Sequence, residues 1–282
     1  MIPAAFDYER ADSVEHAVEL LGTHEEAKLL AGGHSLLPLM RLRLARPALI
    51  VDIDRLSDLD YMRETPDGVE IGALSRMAAL AADPTLALRC PLLAHVCGVV
   101  GDPQVRHRAT IGGSVAHGDP ASDPPAALLA MDAEFVVRGP SGERVVPASE
   151  FFISVFETAL HPQEVLTAIR VPAAAGARWN YQKFHRRAID WAIVGVAAVV
   201  ERDDGTIARA RVGLANMGST PLRASAVEQA AVGADAGRLA AAAEHTPEGT
   251  SPVSDTNASA EYRMELSKVL VRRALEQALG IT

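Results

Sequence analysis

Two short segments of the chain carry a Gly-Gly pair directly after an apolar residue and end in serine. They are AGGHS, residues 31–35, and TIGGS, residues 110–114. Because glycine has no Cβ, successive backbone N–H groups can point into one concavity and form a nest for a phosphate or diphosphate. A single Gly-Gly pair is most often a tight turn. Two such segments in one domain favour a site for a diphosphate cofactor, to which Ser35 and Ser114 could add hydroxyl donors.

Other motifs for catalysis or metal binding are absent from the sequence. Neither glycine segment is GxGxxG or GxxxxGK[ST], which argues against a Rossmann dinucleotide site and a P-loop NTPase. There is no GxSxG, no HExxH and no His/Cys cluster at ligand spacing. Cys90 and Cys97 are too few for an iron–sulfur cluster or a thiolate zinc site. We therefore expect no catalytic residue and no metal site in this chain, and any redox cofactor must be held by other means.

Charged residues surround the second glycine segment. Asp119 and Asp123 follow it, and one of them could accept hydrogen bonds from cofactor hydroxyls. Alternatively, Asp123 caps a helix that begins at the two prolines after it. The basic run 106–108 either balances the charge of a diphosphate or forms a solvated turn. In the first segment, His34 is expected to supply a hydrogen bond or partial positive charge to a bound phosphate rather than a covalent attachment.

Composition narrows the class of protein. The 282 residues include 27 Lys and Arg against 36 Asp and Glu, a net charge of −9, which disfavours a nucleic-acid partner. The longest apolar stretch, residues 192–200, is far shorter than the roughly 18 residues of a membrane span. The N-terminal residues carry acids where a secretion signal needs a basic and then an apolar run. We expect a cytoplasmic protein with no membrane span.

The elements that must position these segments follow from local patterns. Spacing typical of a capping box, from Asp12 to Glu15, predicts a helix that ends at Gly22. A strand at 27–31, an apolar helix after residue 35 and a strand ending at Ile53 complete a small α/β unit. Residues 56–176 predict an antiparallel sheet with helical insertions, including a helical stretch at 80–100 that Pro84 and Pro91 interrupt, a hairpin around residues 139–142 and a last strand at 165–171.

The C-terminal part reads as a separate unit. Residues 172–178 are the predicted linker, and three strands of a meander follow it. Residues 230–258 predict a loose, partly helical connection. An amphipathic helix from Ser259 to Leu279 closes the chain. Its predicted apolar stripe consists of Leu266, Val269, Leu270, Ala274 and Leu275.

Nearly the whole chain resembles a known family. The resemblance lies in residues 31–53, 68–77, 102–130, 181–198 and 258–275, in collinear order. These residues are similar to the FAD-binding medium subunits of molybdenum hydroxylases, of the carbon monoxide dehydrogenase and xanthine dehydrogenase FAD-binding type. The subfamily also includes subunits of nicotine, caffeine and other N-heterocycle dehydrogenases.

The resemblance implies an α+β fold: a two-subdomain α/β FAD-binding domain of the PCMH type, followed by a small domain with an antiparallel sheet and helices. With the linker, it predicts an FAD-binding domain at 1–176, with subdomains of about 1–55 and 56–176, and a C-terminal flavoprotein domain at 177–282. In relatives the two glycine segments wrap the FAD diphosphate. The implied cofactor-binding residues are Ala31, Gly32, Gly33, His34, Ser35, Thr110, Ile111, Gly112, Gly113, Ser114, Asp123, Leu166 or its neighbour Val165, Lys183 and Trp191.

Trp191 lies where relatives can present a bulky side chain over the isoalloxazine. We expect its indole either to shield one flavin face or to anchor the C-terminal domain as a core residue. The pair Tyr262-Arg263 also matches the family, and we expect a structural role for it.

The resemblance implies an electron-transfer subunit of a heterotrimeric oxidoreductase. In such an enzyme a molybdopterin-binding large subunit oxidises the substrate, and [2Fe-2S] clusters of a small subunit pass electrons through FAD to an external acceptor. Dimers of heterotrimers are expected by analogy. Two alternatives are a free-standing flavin oxidoreductase on the same scaffold, similar to UDP-N-acetylenolpyruvoylglucosamine reductases, and a non-enzymatic assembly module. The first lacks a matching serine and glutamate pair, and the intact glycine segments argue against the second.

Overall fold

The computed structural model describes residues 2–174 and 176–281 and contains three main β-sheets. A three-stranded parallel sheet lies near the N-terminus, and antiparallel sheets of five and four strands form the middle and the C-terminal part. This mixed architecture confirms the predicted α+β fold. Among the described residues, no helix has both the length and the apolar character that crossing a bilayer requires.

The N-terminal unit has three strands and two helices. In chain order these are β1 (Asp7–Arg10), α1 (Val14–Thr23), β2 (Ala27–Leu30), α2 (Leu36–Arg41) and β3 (Leu49–Asp52). The strands are parallel in the order β1-β3-β2, so the central strand is the apolar β3. The sequence analysis missed β1, because all four of its residues are exposed and show no apolar alternation.

The predicted start of α1 is wrong by one residue. Its N-cap is Ser13, whose Oγ accepts a hydrogen bond from the His16 N–H at 3.0 Å. The Asp12 carboxylate instead lies 3.0 Å from the His16 ring. Asp and Ser are equally good caps, so spacing alone could not choose between two adjacent candidates. The helix also continues one residue past Gly22.

The middle region has the predicted antiparallel sheet with helical insertions. Its elements are β4 (Met62–Thr65), β5 (Gly68–Gly72), α3 (Met77–Ala82), α4 (Pro84–Arg89), α5 (Pro91–Gly98), α6 (Pro103–Arg108), α7 (Ile111–His117), α8 (Asp123–Ala130), β6 (Glu134–Gly139), β7 (Gly142–Pro147), α9 (Ala148–Phe151), β8 (Phe152–Ser154), β9 (Glu157–Thr158) and β10 (Val165–Pro172), with a 3-10 turn at Ser57–Leu59. The strand order is β4-β5-β10-β6-β7. Pro84 and Pro91 each occupy the first turn of a helix, which confirms the predicted breaks.

The C-terminal part is a meander with helices on one side. Its elements are β11 (Arg178–Phe184), β12 (Val194–Asp203), β13 (Thr206–Ala215), β14 (Leu222–Arg223), α10 (Ser225–Ala231), α11 (Leu239–Ala243) and α12 (Ala260–Leu279), with a 3-10 turn at Ala236–Arg238. Ser259 caps α12 as predicted. Val269 is 38% exposed, so its place in the apolar stripe was wrong. Consecutive helical residues are about 100° apart, and Val269 turns to the solvent when Leu270 faces the sheet.

The middle and C-terminal parts share one hydrophobic core. Tyr181, Ala197 and Val199 of the C-terminal sheet belong to the core of the middle region, and α8 packs against β12 and β13. The predicted linker, residues 172–178, contains residue 175, which lies outside the described residues. Strand β10 ends at Pro172 and strand β11 begins at Arg178, so both reach into the predicted linker.

Candidate functional site

The first glycine segment, residues 31–35, joins the end of β2 to the start of α2. Gly33 has a φ of 79°, in the left-handed region that glycine favours. Within residues 2–174 and 176–281, the backbone N–H groups of residues 32–35 donate no hydrogen bond to the protein. His34 is exposed beside them. Four consecutive N–H groups without a protein acceptor, next to a left-handed glycine, are available to bind a phosphate oxygen.

The second glycine segment is the start of a helix, not an open loop. Thr110 is the N-cap of α7, and its Oγ1 accepts a hydrogen bond from the Gly113 N–H at 3.1 Å. Glycine has a low helix propensity, so the Gly-Gly pair predicted a loop. Close packing explains Gly112 instead, because a Cβ there would lie 2.5 Å from the Cβ of Ala73.

The backbone donors of this second segment are already used. The N–H groups of Ile111, Gly112 and Ser114 donate to the carbonyl oxygens of Ser75, Ala73 and Thr110 respectively, at 3.0, 2.9 and 3.1 Å. The hypothesis of a second nest is therefore wrong for residues 111–114. The hydroxyl groups of Thr110 and Ser114 are then the donors that this segment can offer to a ligand. The Ser114 hydroxyl lies 2.7 Å from the Ser122 hydroxyl at the start of α8.

The fold brings the two glycine segments together. A Cβ on Gly32 would overlap the backbone oxygen of Arg108 and lie 2.8 Å from its carbonyl carbon. It would also lie 3.1 Å from the Cα of Ala109. The first segment therefore rests directly on the residues that lead into Thr110. The two segments therefore lie in contact, as one shared diphosphate site requires.

A cluster of charged side chains fixes this junction. Arg76 and Arg108 both bond to the Asp54 carboxylate, which follows β3, and Arg76 also donates to the Arg108 carbonyl. Burial alone would raise the pKa of Asp54, but the two guanidinium groups outweigh burial and lower it below its usual 3.8. Two cations against one carboxylate leave a positive charge beside the nest. Of the predicted basic run, Arg106 is tied instead to the Val100 carbonyl at 3.0 Å.

Of the two alternatives for Asp123, cofactor acceptor or helix cap, the cap is wrong. Ser122 is the N-cap of α8, and Asp123 is the first helical residue, only 3% exposed. The Asp123 carboxylate accepts a hydrogen bond from the Tyr181 hydroxyl at 2.6 Å and lies 2.7 Å from the Lys183 ammonium. Asp123 is thus part of a buried ion pair that joins α8 to β11.

Lys183, the cation of this ion pair, is also held by a backbone carbonyl. Its side chain is 7% exposed, and Nζ also donates to the Val99 carbonyl at 3.0 Å. An ammonium group has three N–H donors, so one is left without an acceptor among the residues that the structure describes. Burial raises the pKa of the Asp123 carboxyl, although Lys183 and Tyr181 oppose that shift. The sequence analysis missed Tyr181, which the alternation of β11 places on the same face as Lys183.

The two remaining predicted residues differ in exposure. Leu166 is 5% exposed on β10, next to a β-bulge, and β10 contacts α7. Trp191 is 56% exposed and borders a cavity of about 340 Å³ that Arg187 and Arg263 also line. The alternative that Trp191 is a core anchor is therefore wrong. Arg263, by contrast, is 1% exposed and bonds to the Ile193 carbonyl, as expected of a structural residue.

Known proteins match this chain over almost its full length. The family described as FAD binding domain in molybdopterin dehydrogenase matches residues 4–174, and the CO dehydrogenase flavoprotein C-terminal domain matches residues 179–278. The carbon monoxide dehydrogenase medium chain of Hydrogenophaga pseudoflava is 42% identical over 282 residues, covering 99% of this chain and 98% of the relative. The 6-hydroxypseudooxynicotine dehydrogenase complex subunit alpha of Paenarthrobacter nicotinovorans is 38% identical, covering 99% and 96%.

Solved structures agree with these matches. A carbon monoxide dehydrogenase from Hydrogenophaga pseudoflava superposes with a TM-score of 0.97 at 44% identity, covering 100% of this chain and 99% of that one. Quinoline 2-oxidoreductase from Pseudomonas putida 86 superposes with a TM-score of 0.94 at 31% identity, again covering 100% and 99%. The resemblance predicted from the sequence is confirmed. The chain belongs to the family of FAD-binding medium subunits of molybdenum hydroxylases, the flavoprotein subunits of oxidoreductases such as carbon monoxide dehydrogenase.

Proposed function

We propose that this chain is the electron-transfer subunit of a heterotrimeric molybdenum hydroxylase. A large subunit with a molybdopterin cofactor oxidises the substrate, and a small subunit carries electrons through [2Fe-2S] clusters to FAD on this chain. An external acceptor then takes them. The complex is a dimer of heterotrimers in the cytoplasm. The names of the relatives, which are dehydrogenase subunits, support this proposal.

The single observation that carries the cofactor assignment is the row of uncommitted N–H groups at residues 32–35. These N–H groups and the turn at Gly33 suit an oxyanion ligand. The net positive charge of the cluster of Arg76, Arg108 and Asp54 adds to the attraction for such an anion. In the proposed site these groups bind the FAD diphosphate. The side chains of Thr110 and Ser114 border it, and the backbone of Arg108 and Ala109 forms the wall on which the first segment rests.

The remaining residues of the proposed site position and shield the cofactor. The Asp123 carboxylate holds the Lys183 ammonium in place, and the third N–H of that ammonium is available for the cofactor. Leu166 supplies an apolar contact, and Trp191 covers one face of the flavin. Bound FAD supplies the redox chemistry, since its isoalloxazine can accept and release electrons. The protein binds the diphosphate, orients the ring and limits the access of water.

Titration of the purified chain with FAD, FMN and ADP tests the site. We expect saturable quenching of flavin fluorescence with FAD, much weaker binding of FMN, and competition by ADP, because FMN lacks the diphosphate bridge and ADP contains it. Equal affinity for FAD and FMN would contradict the diphosphate assignment. If a folded chain binds neither flavin, the assembly-module alternative is favoured. Iron and molybdenum that co-purify with the FAD-loaded chain would distinguish the subunit from a free-standing flavin enzyme.

A further inference from the structure

An exposed surface of leucines and arginines follows the first glycine segment. It covers α2 and the turn after it, and we refer to it as the 37–46 surface. Its side chains are Leu37, Leu42 and Leu44, which are 41%, 57% and 74% exposed, and the exposed arginines Arg41, Arg43 and Arg46. Within ten residues the chain thus presents three large apolar and three cationic side chains to solvent.

The arginines of the 37–46 surface have no carboxylate partner. None of the three forms an ion pair with any residue in the ranges that the structure describes, and Arg46 donates only to the Arg43 carbonyl, at 3.2 Å. The chain as a whole carries a charge of −9. A local excess of unpaired positive charge in an acidic protein is complementary to a partner surface of the opposite sign.

The backbone holds the apolar side chains outward. Arg43 has a φ of 60°, in the left-handed region that is unfavourable for residues other than glycine. The turn is fixed by hydrogen bonds from the Arg43 N–H to the Met40 carbonyl, at 3.0 Å, and from the Leu44 N–H to the Leu39 carbonyl, at 2.9 Å. Met40 is buried, whereas Leu44 projects into solvent. A strained turn that exposes leucine points to a function for the exposed surface.

The position of the 37–46 surface indicates which partner it would bind. Leu37 lies against the nest, since a Cβ on Gly33 would be 2.9 Å from Leu37 Cδ1. A protein that covers this surface therefore lies beside the diphosphate end of the proposed FAD site. Of the two partner subunits in the proposed complex, the one that delivers electrons to FAD has to approach the cofactor, whereas the large subunit has no such requirement, so this position favours the small subunit. A second copy of this chain is disfavoured, because two such surfaces would bring six unpaired arginines together.

We propose that the 37–46 surface is the docking site of the iron–sulfur small subunit, through an acidic face of that subunit with an apolar centre. This inference rests on the proposed function. Leucines at the centre exclude water, and the surrounding arginines pair with carboxylates of the partner, an arrangement in which arginine commonly contributes strongly to affinity.

The test uses the whole complex, purified through an affinity tag on this chain. Iron per FAD and molecular mass are measured for the wild type and two variants, Leu42→Glu with Leu44→Glu, and Arg41→Glu with Arg46→Glu. We expect each variant to keep its FAD while iron per FAD falls by at least about tenfold. Leu88→Glu on α4 is the matched control, since Leu88 is 79% exposed and far along the chain from the nest. The control should retain iron.

The outcomes separate the two proposals. If the wild type holds FAD without iron, the subunit assignment fails, and the docking inference fails with it. If the wild type and both variants hold the same amount of iron, the docking inference alone is overturned. The docking inference is also overturned if the variants change self-association without changing iron content, a result that would assign the surface to a second copy. Loss of FAD together with iron would mean that the variants damage the nest, and Arg41→Ala with Arg46→Ala, a smaller change, then decides by the same iron measurement.

Discussion

The backbone oxygen of Arg108 occupies the space that a side chain on Gly32 would need. The contact is between two backbones, so neither partner can rotate away as a flexible side chain would. It fixes the nest of residues 32–35 against the start of the second glycine segment. The geometry of the proposed diphosphate site therefore depends on the absence of one methyl group.

Replacing Gly32 by alanine should disrupt this contact. We expect a loss of about 1–3 kcal/mol in the free energy of unfolding from overpacking, and at least about tenfold weaker binding of FAD. Urea denaturation and fluorescence titration measure the two effects. Gly22→Ala is the control, because a Cβ at this exposed helical position meets only Gln163 atoms at 3.7 Å and beyond. Unchanged FAD affinity in Gly32→Ala would show that the nest does not depend on the contact.

Asp123→Ala should be among the most destabilising single substitutions at the site. It leaves the Lys183 ammonium buried without its carboxylate, and breaking such a pair costs about 3–5 kcal/mol. The double variant Asp123→Ala with Lys183→Met removes the stranded charge, and we expect it to be more stable than the single variant. Urea denaturation of the four proteins in the cycle measures the coupling. If the two substitutions act additively, the side chains do not form the ion pair described.

Stability should fall in acid partly through Glu164. Its carboxylate accepts two hydrogen bonds from Arg144, at 2.7 and 2.6 Å, and one from the His161 N–H at 2.8 Å. The Arg144 bonds lower the pKa of Glu164 below its usual 4.5, despite partial burial. A carboxyl with a depressed folded-state pKa stabilises the fold above the unfolded value, and that stability is lost as pH falls through the folded-state pKa.

The variant Glu164→Gln isolates this contribution. It should be less stable than the wild type at pH 7, and the difference should shrink as the pH falls below about 4.5. Thermal unfolding at a series of pH values measures it. A difference that stays constant from pH 7 to pH 3 would contradict the pKa shift.

Trp191→Ala should alter the flavin without altering stability. The indole is 56% exposed, so its loss removes little buried area. If it covers the isoalloxazine, the visible absorbance of bound FAD or its rate of reoxidation by oxygen should change. Ile189→Ala, at a position 54% exposed in the same loop, is the matched control. A spectrum and a reoxidation rate equal to those of the wild type would remove Trp191 from the site.

The sequence predicted those features that depend on local patterns. Alternation and turn residues identified the hairpin of β6 and β7 and the meander of the C-terminal sheet, and prolines marked the starts of α4 and α5. The four exposed residues of β1 carry no such pattern, and tertiary pairing with β3 is what makes them a strand. Residue spacing likewise could not choose between Asp12 and Ser13 as the N-cap of α1.

At the site, residue types were predictable and their partners were not. The Gly-Gly pairs were found from the sequence pattern, and Lys183 was implied by the resemblance alone. Whether a backbone N–H is free depends on long-range contacts, and the donors of residues 111 and 112 are consumed by carbonyls almost 40 positions earlier. The binding of Arg108 by Asp54 joins residues 54 positions apart, which no local signal indicates.

The shared core and the Asp123–Lys183 pair hold the C-terminal sheet rigidly against α8. Any rotation of the C-terminal sheet relative to α8 would pull an ammonium group from its carboxylate and expose Tyr181 to water. The loop that carries Trp191 is thus held at a constant distance from the glycine segments. If electrons pass through this chain as proposed, the distance between the nest and the Trp191 loop would be set once, during folding, and not reset by domain motion in each turnover.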